Sequence, residues 1–146
     1  MTGQGQRHWE DVAVGDALIP ISFPLSLYRL VVVAGANRDF NSIHHNSEYA
    51  RATGAADAYA NTLFLQGMWE RAVREFIGDG GTIRALRGFR MRSFNLVGDT
   101  AVVEGEVTGH WLEDDDGLVE LTLRTRCSTG VTVGPGTVVA TMPRVR

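Results

Sequence analysis

One change of period governs what this chain can become. From Thr62 to Ile77 the apolar residues Leu65, Met68, Trp69, Ala72, Val73, Phe76 and Ile77 recur at spacings of three and four, with Glu70, Arg71, Arg74 and Glu75 in the gaps. That is a helix with one apolar face, and Gly78-Asp79-Gly80-Gly81 ends it. Beyond it the period is two. Ile83 to Leu96 reads as a strand region broken at Gly88, and Thr100 to Leu112 as a long strand through Val103, Gly105 and Val107. Asp114-Asp115-Asp116-Gly117 forms a hairpin turn, Leu118 to Ser128 returns, and Val131 to Met142 closes the set with a bend at Gly134-Pro135-Gly136. A sheet with one apolar face needs a cover, and wrapping it around the long helix supplies one.

The N-terminal third feeds into this unit. Residues 1–7 are polar and glycine-rich and read as a flexible tail. His8 to Asp16 ends in a turn, and Ala17 to Phe23 reads as a strand stopped by Pro24. Ser26 caps a helix from Leu27 to about Ala36, although Val31, Val32 and Val33 resist it. Asn37 to His45 is a loop, and Asn46 caps a short helix, Ser47 to Thr53, with Gly54 as its stop. Strand, helical segments, central helix and meander together make an α+β domain of the hotdog type over residues 8–146.

Bulk properties narrow the function. A chain of 146 residues with 44% hydrophobic and 21% charged residues has the balance of one globular domain. A net charge of -3 offers no field for nucleic acid. No apolar run approaches the length that crosses a bilayer, so no membrane partner is expected. Cys127 is the only cysteine, which rules out an intrachain disulfide and a cysteine-based zinc site and suits a reducing cytoplasm. It sits in a strand-like run with nothing nearby to lower its pKa, so it reads as a packing residue.

The chemistry concentrates in Asn37 to Asn46, NRDFNSIHHN, which holds two of the four histidines. A carboxylate five residues before a histidine, with a bend between them, can set both side chains around one water. Adding water across an activated double bond needs a base for the water proton and an acid for the α-carbon, and Asp39 and His44 can serve both needs. By spacing alone, the string fits an ordinary capped loop better, with Asp39 and Asn41 binding loop amides and His44 and His45 on the surface.

The string DFNSIH resembles the D-x-N-P-x-H signature of MaoC-like, R-specific enoyl-CoA hydratases and dehydratases, matched at Asp39, Asn41 and His44. Gln66-Gly67-Met68 is similar to the His-Gly-Met that opens the family's central helix, and Phe94 to Asp99 to its strand entry before Gly-Asp. The likeness runs from about residue 9 to the last strand. It implies that Asp39 and His44 activate water, that Asn41 shapes the loop around the substrate, and that the Gly67 N–H, in the first turn of the central helix, binds the thioester oxygen. Such a role suits a helix N-terminus with free amides. Ser42 replaces the motif proline, Gln66 the usual histidine, and Asn46 a frequent aspartate. RDFNSIHHN, with Asn61 and the Gly67–Arg71 spacing, resembles the small subunit of actinobacterial steroid side-chain enoyl-CoA hydratases, which carries the catalytic residues and pairs with a second hotdog subunit.

The resemblance therefore implies an acyl-CoA thioester substrate, no metal or redox cofactor, and coenzyme A present only as part of the substrate. Tyr59, Asn61 and Phe64 are candidates for the acyl pocket. Arg90 and Arg92, on one face of a strand region, are candidates for the phosphates of coenzyme A. The acidic run Glu113 to Asp116 is a hairpin tip rather than a metal site. An open sheet edge calls for a partner, a second copy or a different hotdog chain. Two other functions remain open: a hotdog acyl-CoA thioesterase, which attacks the carbonyl itself, and a non-catalytic subunit that supports a partner's site.

Overall fold

The structure, a computed structural model, describes residues 6–145. Its axis is a helix, Thr62–Ile77, begun by Asn61, whose side-chain oxygen accepts the Phe64 N–H at 2.8 Å. The buried face is the one the spacing selects: Leu65, Met68, Trp69, Ala72, Val73, Phe76 and Ile77. Around it curls an antiparallel sheet of β1 (Ile21–Pro24), β2 (Thr82–Arg87), β3 (Thr100–Glu113), β4 (Asp116–Cys127) and β5 (Gly130–Met142), in the order β1-β3-β4-β5-β2. The concave side of the sheet contributes Val103, Val107, Val119, Leu121, Leu123, Val133 and Val138 to the same core. Two shorter helices, α1 (Leu27–Ala36) and α2 (Ser47–Ala52), and a 3-10 turn at Ser42–His44 precede the long helix, here α3. This is the α+β hotdog arrangement expected from the pattern.

The β3–β4 hairpin shows how tightly the strands lie. A Cβ on Gly105 would stand 2.3 Å from the Thr122 carbonyl oxygen, so only a glycine lets the strands meet there. At the tip, Glu113 pairs with Asp116, leaving Asp114 and Asp115 as a two-residue turn.

Three expectations need correction. The strand expected over Ala17 to Phe23 is a single bridge at Ala17 and a strand proper from Ile21. The region from Ile83 to Leu96 is not one broken strand. Pairing with β5 ends at Arg87, Gly88 turns the backbone at φ 67°, and the chain then forms isolated bridges, Met91 to Val133 and Leu96 to Tyr59. Only the first of these bridges is to the sheet; Tyr59 lies in the connection before α3, towards which the chain crosses after the bend of β5. The expected tail over residues 1–7 lies outside the described residues except for Gln6 and Arg7, and these are seated. The Gln6 carboxamide donates to the Ile77 carbonyl at 3.0 Å and accepts the Gly80 N–H at 2.7 Å, while the Arg7 guanidinium covers the Phe76 ring.

Candidate active site

The end of α1 aims the first catalytic candidate. Asn37 closes the helix and Arg38 follows at φ 55°. The Arg38 N–H reaches the Gly35 carbonyl at 3.1 Å and the Asp39 N–H reaches the Ala34 carbonyl at 2.9 Å, the paired bonds of a Schellman stop. Glycine usually occupies that left-handed position, and a larger residue there carries a penalty of about 1–2 kcal/mol. The reversal turns Asp39 back over the next few residues. There Asn41 caps the 3-10 turn by accepting the Ile43 N–H at 3.2 Å, and the turn carries His44 inward to a buried position.

The two side chains meet. His44 Nε2 lies 3.1 Å from Asp39 Oδ2, with His44 buried and Asp39 about one-third exposed (36%). His44 Nδ1 lies 2.8 Å from the Tyr59 carbonyl oxygen. A carbonyl oxygen only accepts, so Nδ1 carries a hydrogen and Nε2 is the nitrogen that faces Asp39. The Tyr59 ring closes the other side, edge-on to His44 at 5.3 Å and stacked on Phe94 at 4.1 Å. Burial, and secondarily the negative charge of Asp39, push the Tyr59 phenol above its ordinary pKa, so it stays protonated at neutral pH.

Asn61 joins this group to α3. Its Oδ1 also accepts from Asn37 Nδ2 at 3.3 Å, which ties the residue two before Asp39 to the cap of the long helix. Asn61 is buried, and its Nδ2 has no partner among the described residues. Behind it, the Asn95 carbonyl accepts the Ala60 N–H at 3.0 Å. The fully buried Asn95 side chain accepts from the Thr132 hydroxyl at 2.6 Å and the Cys127 thiol at 3.2 Å. Burial raises the Cys127 pKa, as suits a packing residue and not a nucleophile.

Gly67 does not stand where the motif placed it. It is the sixth residue of α3, where a backbone N–H belongs to the helical ladder. The amides without a helical acceptor are those of the first turn, Thr62 and Leu63, since Asn61 already holds that of Phe64. Gly67 instead opens a cleft of about 530 Å³ between β1, α1 and α3. Ile21, Phe23, Val33, Phe64 and Met68 give it apolar walls, and Arg29 and Arg71 also line it. A Cβ on Gly67 would meet nothing within 4 Å.

Of the other candidates, Tyr59 and Asn61 adjoin the pair and Phe64 lines the cleft. Arg90 and Arg92 do neither. Arg90 is exposed, and Arg92 Nε donates to the Gly134 carbonyl, which fastens the irregular segment to β5. Asn37, which bonds the Asn61 side chain, and Asn95, which bonds the Thr132 and Cys127 side chains, carry no sequence signal beyond being amides. The sequence marks Phe94 only as part of a motif.

No model of a known protein family matches the chain. It is 32% identical over 101 residues to the 3-oxo-4,17-pregnadiene-20-carboxyl-CoA hydratase beta subunit of Mycobacterium tuberculosis, which covers 69% of this chain and 74% of that one. The chain belongs to the MaoC-like hydratase and dehydratase family. Among solved structures, a chain of the ChsH1–ChsH2 complex from M. tuberculosis superposes with a TM-score of 0.79 at 29% identity, covering 90% of this chain and 98% of that one. The (R)-hydratase of A. caviae involved in PHA biosynthesis shares the fold, with a TM-score of 0.81 at 22% identity and coverage of 92% and 99%. Among the described residues, no helix of this MaoC-like chain is long and apolar enough to cross a membrane.

Proposed function

We propose that the chain hydrates a trans-2-enoyl-CoA to a 3-hydroxyacyl-CoA, or runs the reverse dehydration, with Asp39 and His44 as the catalytic pair. The observation that carries this reading is the fixed orientation of His44. With Nδ1 donating to the Tyr59 carbonyl, Nε2 and Asp39 Oδ2 face one another 3.1 Å apart and can both hold one water. That water adds its oxygen to the β-carbon. One member of the pair takes the proton released, and a proton from the pair goes to the α-carbon, so water is added with no net change at the protein. Charge that builds on the thioester oxygen meets the free amides of Thr62 and Leu63 at the positive end of α3. The reaction needs no cofactor beyond the coenzyme A of the substrate, and the single free thiol suits a cytoplasmic enzyme.

For the acyl group we favour a bulky steroid side-chain thioester. The relative's substrate is of that kind, and the cleft of about 530 Å³ falls within the usual range for small-molecule sites. The purified chain should abolish the enoyl absorbance of such a thioester without releasing thiol. Thiol release at the same rate would mean thioester hydrolysis instead.

We also propose that the chain works in a homodimer or with a second hotdog subunit. Tyr28, Val31 and Val32 expose one apolar stripe of α1, with Phe40 just beyond its end, and such patches on a small domain mark an interface. Light scattering should give a mass of at least two chains, alone or after mixing with the partner, and a monomer under both conditions would overturn the proposal.

A further inference from the structure

The cleft has two unlike ends, and the difference bears on what it can hold. Asn37 and Asn61 are bonded to each other, so the C-terminal end of α1 lies against the N-terminal end of α3. Arg29, in the first turn of α1, and Arg71, ten residues after Asn61, line the same cleft. The helices therefore run antiparallel. Asp39 follows Asn37 by two residues, beside the start of α3, where Phe64 of the first turn lines the cleft, and Arg71 lies about 15 Å further along α3 from Asn61 at 1.5 Å per residue. The rest of the lining is apolar apart from Ser22. Arg29 spends one Nη on the Pro24 carbonyl at 2.9 Å and has no acidic partner among the described residues. Arg71 spends Nε on Glu75 at 2.9 Å. Each guanidinium has five N–H donors, so most remain available. The catalytic reading gives neither arginine any task.

We infer that Arg29 and Arg71 form a distal anchor for the acyl group: the cleft takes an acyl chain or ring system that ends, far from the thioester, in a hydrogen-bond-accepting oxygen. This rests on the reading of the cleft as the acyl site. An apolar body keeps company with Ile21, Phe23, Val33 and Met68, while a terminal oxygen accepts from the guanidinium groups. Both arginines are exposed, so a plain hydrocarbon end would leave their donors to solvent and gain nothing from them.

The test is binding, read by calorimetry, of saturated CoA thioesters that cannot be hydrated. Three share one four-ring skeleton and differ at the far ring: a ketone, a carboxylate, or neither. The ketone or the carboxylate should bind about ten- to a hundredfold tighter than the hydrocarbon, the usual worth of a hydrogen bond to a charged group. The arm with the larger gain identifies the natural terminus. In Arg29→Met and Arg71→Met, which keep the stem and lose the donors, that ratio should fall towards one. Equal affinities for all three thioesters, or a preference that survives both substitutions, overturns the anchor. Equal affinities in the parent overturn the anchor even if a variant fails to fold. A preference that holds while no enoyl-CoA is ever hydrated would leave the anchor standing and sink the hydratase reading alone.

Discussion

Asp39→Asn is expected to lower the hydration rate by about 10²–10⁴-fold, the usual worth of a positioned acid or base. The amide keeps the shape of the carboxylate but loses its charge and its ability to take a proton, and replaces one acceptor oxygen by a donor. Because Asp39 is one-third exposed and borders the site, the change should leave the unfolding midpoint nearly where it was. His44→Ala should lose at least as much activity, and some stability with it, because the Tyr59 carbonyl is left without its donor. The double variant should be little worse than the poorer single one, since two groups that hold one water act as a unit. The loss should fall on kcat, with KM changing much less. Full turnover by both single variants, on a thioester the parent hydrates, would place the chemistry elsewhere.

This pair shows what a sequence can and cannot reveal. The type and spacing of Asp39 and His44 were readable, and so was Asn41 between them, because a capped 3-10 turn is a local structure. What brings them together is not local. It needs a left-handed arginine at position 38, an amide pair between Asn37 and Asn61, and the Tyr59 carbonyl, held in turn by the bridge to Leu96. These contacts span 15 to 37 residues, and no periodicity announces them. Long amphipathic elements behaved differently. The bounds of α1 followed from the Ser26 cap, and those of α3 from its period, because burial of one face decides them. The same logic misled at residues 83–96, where apolar residues alternate but the chain is peeled from the sheet by Gly88 at positive φ. Gly67 was misplaced for another reason. The motif put it at the helix start, while the cap belongs to Asn61 one turn and a half earlier.

Trp69→Ala should be the most damaging single change to stability, at about 3–5 kcal/mol for truncating a fully buried tryptophan. Trp69 has no exposed surface and sits where α3 fills the curve of the sheet. Its indole N–H donates to the buried Thr125 hydroxyl at 2.8 Å, and its ring meets Phe89 edge-on at 5.0 Å. The fit is close on the β5 side as well, since a Cβ on Gly134 would lie 2.9 Å from the indole. Truncation thus opens a cavity, leaves a buried hydroxyl without its donor and frees the bend of β5 at once. Against a typical net stability of about 5–15 kcal/mol, the alanine variant should lose a large share of its margin. Trp69→Phe keeps most of the volume and loses the N–H, so it should cost far less, about 1–3 kcal/mol. Urea unfolding followed by circular dichroism measures both. If the alanine variant unfolded within about 1 kcal/mol of the parent, well below the range for buried aromatic truncation, α3 could not be the element the sheet is wrapped around.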